Sequence, residues 1–120
     1  MPRFVILEHD HPQLHWDFML EVSAVLRTWR LAEAPTRGGG HIDATALADH
    51  RPFYLDYEGP VSGNRGNVRR WDTGTYDLLA STDAALQVQL HGAKLTGIAW
   101  IEKEEEADWR FTFQEAIDHS

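Results

Sequence analysis

A chain of 120 residues, 42% hydrophobic and 25% charged, has the balance of a globular protein, here one domain over residues 1–120. It contains no Cys, which excludes disulfides, thiol catalysis and cysteine zinc sites and makes the cytoplasm the expected compartment. A net charge of −8 excludes a broad basic face, so any contact with nucleic acid has to be local, through a bound metal or a small basic cluster.

The first apolar run, Phe4-Val5-Ile6-Leu7, is too short for a signal peptide or a membrane span, and its composition predicts a buried strand over residues 3–8. A polar turn with Pro12 follows, then a second strand over 14–22. In strand geometry Leu14, Trp16, Phe18 and Leu20 share one face, while His15, Asp17, Met19 and Glu21 share the other. Residues 25–32 read as a third strand with Trp29 and Leu31 on one parity. The TRGGG run at 36–40 lacks the GK[ST] of a phosphate loop and reads as a plain connection. Residues 42–49 fit a short helix or a strand equally well.

Residues 53–57 alternate aromatic and polar side chains before a Glu58-Gly59-Pro60 turn, and 62–67 form a second glycine-rich loop. Short strands are then predicted over 68–71, 74–79, 85–91 and 94–102, separated by Asp-Thr-Gly, Ser-Thr-Asp and His-Gly turn signals. An acidic hairpin tip at 103–108 leads to a last strand over 109–113. Many short strands with little room for crossover helices predict an antiparallel barrel or sandwich.

Seven His residues stand out in an acidic chain. His9 ends the first strand, and the turn after it is long enough to bring it back over the face of His15 and Asp17. Two imidazoles and a carboxylate form a three-ligand set suited to Mn²⁺ or Zn²⁺, with positions left for water or substrate. The same residues also fit a solvated strand face, and spacing alone does not choose. His50, four residues before Tyr54, reads as a surface or capping residue ahead of a strand, or as a catalytic group. His11, His41, His91 and His119 have no supporting acid at ligand spacing and no repeated spacing; His91 is expected in a turn and His119 in a loose terminus. There is no Ser nucleophile elbow.

The stretch ILEHDHPQLHWDFMLE resembles the signature of the 3′-phosphoesterase domain family of bacterial DNA ligase D proteins and their stand-alone homologues. That signature is a His-Asp, a short spacer, Leu-His-aromatic-Asp, and an apolar–Arg–Leu-Glu ending. VLRTWRLAEAP, DHRPFYLDYEG, WDTGTYDLL and LHGAKLTGIAWI resemble later blocks of the family in the same order. The resemblance implies a mostly β fold, a compact antiparallel β-barrel of about eight strands with at most one or two short helices. It also implies a Mn²⁺-dependent enzyme (Zn²⁺ or another divalent metal being the alternative) that removes 3′-phosphates and 3′-terminal ribonucleotides to leave a 3′-hydroxyl. Carried over by position, His9, His15 and Asp17 resemble the metal ligands, His50 the phosphate-contacting histidine and Tyr54 the active-site tyrosine. The expected partners are a nucleic-acid 3′ end and a separate ligase or polymerase protein, for a monomer with no membrane association.

Three departures bear on that expectation. Met19 stands where the family carries an Arg able to clamp phosphate in a bidentate fashion. Ala32-Glu33-Ala34 precedes Pro35 where the family often has a Lys, and the chain starts close to its first core strand without an N-terminal arm. Arg65, Arg69 and Arg70 cluster where they either replace the missing phosphate contacts or serve as solvated surface residues. Two classes of function follow: a phosphoesterase on nucleic-acid 3′ ends or another small phosphate ester, or a metal-holding, catalytically weak module that binds an end or a partner protein.

Overall fold

The computed structural model describes residues 1–116; His119 lies outside them. Nine strands run in chain order: β1 (Arg3–His9), β2 (His15–Val22), β3 (Val25–Leu31), β4 (His41–His50), β5 (Gly59–Pro60), β6 (Asn67–Thr82), β7 (Ala85–Gly92), β8 (Thr96–Glu105) and β9 (Asp108–Glu115), with one 3-10 turn at Pro52–Leu55. The hydrogen-bonded order is β1-β2-β3-β4-β9-β8-β7-β6, and β6 returns to pair with β1. Every pairing is antiparallel, so eight strands close on themselves and β5 adds a two-residue extra strand on β6. Closure leaves the eight wall strands without an unpaired edge. This is the barrel the sequence predicts, and no helix among the described residues is long and apolar enough to cross a membrane.

The pleat sorts each wall strand into two sets of side chains. Phe4 and Ile6 of β1, Phe18 and Leu20 of β2 and Trp29 and Leu31 of β3 join the main core with Val88, Leu90, Ala99, Ile101, Phe111 and Phe113. Phe18 meets Phe111 edge-on at 5.3 Å, and Trp29 meets Trp109 at 5.6 Å; such pairs add about 0.5–1.5 kcal/mol each beyond their burial. The alternate residues Val5, Leu7, Met19, Leu26 and Val68 form a second cluster on the other side of the wall, roofed by Leu55, Tyr54, Tyr57 and Val61. The segment between β4 and β6 therefore lies over the barrel wall rather than inside it. Arg3 tethers it, with Nη2 2.6 Å from Asp56 Oδ1, and the guanidinium holds the Asp56 carboxyl below its ordinary range.

Several local expectations change. Residues 42–49, open between helix and strand, are strand, because β4 pairs with both β3 and β9. The aromatic run near 53–57 contains the 3-10 turn, with Pro52 starting it and Leu55 turned into the outer cluster. The acidic tip narrows to Glu106 and Ala107 between Glu105 and Asp108, with Glu106 at φ 51°. His91 lies within β7, not in a turn, and its Nε2 sits 2.8 Å from Asp77 Oδ2 on β6. His50 closes β4 and precedes the 3-10 turn rather than a strand.

The two strands expected over 68–71 and 74–79 are one, the 16-residue β6. Its Asp-Thr-Gly is turn chemistry used for another turn. A bulge opposite Ile6 and Leu7 brings Asp72 into the buried interior, and its carboxylate accepts the backbone N–H groups of Thr73, Ala93, Lys94 and Leu95. Gly92 is required beside it, since a Cβ there would run into the Asp72 carboxylate and Phe4. Gly74 is required for the same kind of reason, because a Cβ would collide with the His91 carbonyl of β7. Removing the carboxylate strands the buried Leu95 amide and three partly buried ones, a fully buried donor costing about 1–3 kcal/mol. Asp72→Ala should therefore lose about 3 kcal/mol or more of unfolding free energy in urea titration, whereas Asp77→Ala at the exposed His91 pair should lose well under about 1 kcal/mol.

Candidate metal centre

His9 and His15 are direct partners in the β1–β2 ladder. The outward parity that carries Val5 and Leu7 on β1 ends at His9, and the one that carries Met19 on β2 begins at His15 and Asp17. The imidazole centroids lie 4.8 Å apart at 59°. Asp17 Oδ2 is 3.3 Å from His15 Nε2 and 3.9 Å from His9 Nδ1. One ligand atom from each of the three residues falls within 4.8 Å of the others.

The outer hydrogen bonds of the rings fix which nitrogens face inward. His15 Nδ1–H donates to the Gln13 carbonyl at 2.8 Å, and His9 Nε2–H donates to the Arg65 carbonyl at 2.8 Å. In the neutral tautomers those bonds select, both inward nitrogens present lone pairs toward the Asp17 carboxylate. Asp17 is 5% exposed, and its Oδ1 is buried without a hydrogen-bond partner. Such an orphaned acceptor is costly unless a cation or donor meets it. Two lone pairs and a carboxylate aimed at one point fit a divalent cation, and the backbone carbonyls behind the rings are the outer support that metal-binding histidines use.

Without a metal, a proton is the available substitute. Burial disfavours the His15 imidazolium, but the Asp17 hydrogen bond and charge, with the Gln13 carbonyl, outweigh it and raise the pKa above the ordinary histidine value. A raised pKa stabilises the metal-free fold below the unfolded-state value, and that contribution disappears as pH rises through the folded-state value. A metal needs the same nitrogen deprotonated, so metal and proton compete.

A pocket of about 90 Å³ opens beside the three ligands, lined by His9, Asp17, Met19, His50, Tyr54 and Arg65 among others. His50 donates Nδ1–H to the Ala48 carbonyl at 2.9 Å, which leaves Nε2 as its free ring nitrogen. The Tyr54 ring packs edge-on against it at 5.8 Å. His9, Asp17, His50 and Tyr54 thus line one pocket, with His15 against Asp17 beside it.

The three arginines separate. Arg65 lines the pocket, but its guanidinium is turned onto Ser62, with Nε 2.7 Å from the carbonyl and Nη2 3.2 Å from Oγ. Arg69 pairs with Glu8, and Arg70 donates its backbone N–H to Glu58 with its guanidinium 3.9 Å from that carboxylate. Neither lines the pocket. Arg30, which sequence reasoning passed over, stands directly opposite Asp17 in the β2–β3 ladder and lines a second cleft with His15. The signal was available: the two-residue turn joining Val22 to Val25 fixes that register by counting back along the hairpin.

Alanine at His9, His15 or Asp17 should each weaken Mn²⁺ binding by about 100-fold or more, read by calorimetry, with the fold kept. The rise in Tm on adding Mn²⁺ should shrink as pH is lowered from 8 toward 6 in the wild type, following the proton on His15.

The model of the family described as DNA Ligase D 3′-phosphoesterase domain matches residues 7–103. The multifunctional non-homologous end joining DNA repair protein LigD of Mycobacterium tuberculosis is 33% identical over 102 residues, covering 78% of this chain and 13% of that protein. The corresponding Pseudomonas aeruginosa protein is 30% identical over 104 residues, covering 79% of this chain and 12% of its own length. The chain thus spans about an eighth of the curated relatives it matches. With most of its length matched, the candidate ligands included, the chain belongs to the DNA ligase D 3′-phosphoesterase domain family.

Proposed function

We propose that this protein is a divalent-metal-dependent phosphoesterase that converts a nucleic-acid 3′-phosphate, or a 3′-terminal ribonucleotide, to a 3′-hydroxyl, with Mn²⁺ held by His9, His15 and Asp17. The observation that carries this reading is the convergence of two inward-facing imidazole nitrogens on a buried carboxylate with an orphaned oxygen, beside a pocket that presents His50 and Tyr54. Family membership supports it, as do the names of the relatives, which are DNA repair proteins. A ligase or polymerase partner would be a separate protein or a further part of a longer one.

A phosphomonoester brings about two negative charges near neutral pH. A divalent cation, when bound, polarises a phosphoryl oxygen and acidifies water. The protein's own residues do the rest. His50 Nε2, when protonated, donates to a non-bridging oxygen or passes its proton to the leaving 3′-oxygen, while Nδ1 stays fixed on Ala48. The Tyr54 hydroxyl donates to a second oxygen. Met19 and Leu7 give the pocket an apolar floor that strengthens these charged contacts by keeping water out.

The test is phosphate release from a primer–template bearing a 3′-phosphate, with Mn²⁺ present. The wild type should release phosphate and His15→Ala should not. His50→Ala should lose about 100-fold or more in kcat, the usual worth of a positioned acid. A wild-type protein that binds Mn²⁺ tightly yet leaves the 3′-phosphate intact would defeat the catalytic reading and leave the binding module.

A further inference from the structure

A phosphate bound at this centre meets a protein of net charge −8, and the cation of the metal has already to offset Asp17. Further positive charge has to come from a side chain that is near and uncommitted. The nine arginines can be sorted by what holds them. Arg3, Arg69, Arg70 and Arg110 sit on Asp56, Glu8, Glu58 and Glu104. Arg27 and Arg51 lie over the rings of Trp29 and Phe53, and Arg65 is bound to Ser62. Among the described residues that leaves Arg30 and Arg37 without a carboxylate, a ring or a side-chain hydrogen bond, and Arg37 lies in the loop before β4.

Arg30 is the one placed at the centre. It pairs with Asp17 across the β2–β3 ladder, so the two side chains leave the sheet on the same face. It makes no ion pair with Asp17, whose Oδ2 is directed at the histidines. Its side chain lines an open cleft of about 260 Å³ together with Pro12, Gln13, Leu14, His15 and Ala32. Two clefts therefore flank the candidate ligands: the His50–Tyr54 pocket, lined by His9 and Asp17, and the Arg30 cleft, lined by His15.

We propose that Arg30 is the phosphate-binding cation of this centre, its guanidinium taking oxygens of a substrate phosphate from the His15 side while His50 and Tyr54 hold it from the other. Arginine suits the role because its planar fork gives two parallel N–H donors to one phosphate, which a lysine cannot match. Leu14, 54% exposed at the lip of the same cleft, gives the sugar attached to that phosphate an apolar surface. The cleft is narrow in chemistry: an anion with an apolar neighbour, which describes a nucleotide end better than a free sugar phosphate. This inference rests on the phosphoesterase reading for its substrate class, though not for its readout.

The experiment measures inorganic phosphate binding to the Mn²⁺-loaded protein by paramagnetic broadening of the phosphorus resonance, in wild type, Arg30→Ala, Arg30→Lys and Arg37→Ala. Calorimetry of Mn²⁺ alone accompanies each variant. Arg30→Ala should weaken phosphate binding at least tenfold, Arg30→Lys should recover part of it, and Arg37→Ala, which removes the same charge, should match wild type. Mn²⁺ affinity should stay within a factor of two throughout. A dinucleotide with a 3′-hydroxyl is the second probe: if Arg30→Ala weakens it but not inorganic phosphate, the contact is to the internal phosphodiester rather than the terminal group. Unchanged binding of both probes in Arg30→Ala, or an equal loss in Arg37→Ala, overturns the proposal. If that happens while wild type still releases 3′-phosphate, the enzyme reading stands without Arg30. If wild type neither binds nor releases phosphate, both fall.

Discussion

The pairing of His9 with His15 across the first two strands is the constraint on which the site depends. In a ladder with a period of two, a slip of one residue would send His15 and Asp17 into the barrel and bring Trp16 and Phe18 out. Such a slip would place a carboxylate among Phe4, Trp29 and Phe111 and expose two large aromatics, so the hydrophobic core itself holds the candidate ligands in register. The same six-residue span of β1–β2 pairing thus serves stability on one face and presents the candidate metal centre on the other. The two functions are separable by substitution only because the pleat puts them on opposite sides.

Closure of the barrel supplies the second half of the site. Since β6 pairs with β1, the chain between β4 and β6 has to cross the outside of the wall, and it does so directly over Val5, Leu7 and Met19. Leu55 and Val61 hold that crossing down, Arg3 clips it to Asp56, and the Arg65 carbonyl at its far end receives the His9 ring. His50 and Tyr54 stand at its near end. A segment that is the roof of a small hydrophobic cluster is therefore also the lid of the pocket. Asp72 acts at a distance in the same scheme, holding the β7–β8 turn and so the β6 path that makes closure geometrically possible.

How much of this the sequence carried differs from residue to residue. The inside-out division of β2 was legible because four large apolar residues alternate with His15, Asp17, Met19 and Glu21. The barrel was legible from many short strands and from the ordered family blocks. The convergence of His9 with His15 was not fixed by spacing, since the five residues between them permit several registers. It took the family resemblance to favour one. The unity of β6 was hidden because Asp-Thr-Gly is the composition of a turn, and nothing local reveals that Asp72 serves amides some 20 residues ahead. The His91–Asp77 pair was missed for a related reason: the acid is adjacent across strands, not along the chain. The fates of Arg65, Arg69 and Arg70 depend on which carboxylates or hydroxyls lie beside them, which only the closed barrel decides.

The placement of charge is the point at which fold and chemistry meet. An acidic surface repels a phosphate-bearing substrate over several ångströms, screened beyond about 8–10 Å at ordinary ionic strength. Net repulsion of that kind selects against loose binding along a duplex and leaves short-range contacts to decide affinity. The cations that remain after Glu8, Glu58, Asp56 and Glu104 have taken theirs are few, and Arg30 is the one the β2–β3 register sets beside the ligands. Met19, buried at 1% exposure, cannot supply charge from the position next along β2 on that face, so a neighbouring strand has to. On the proposed function, a protein arranged in this way would hold a single phosphate at one point with little grip on the rest of a nucleic acid, which suits the handling of an end better than the reading of a length.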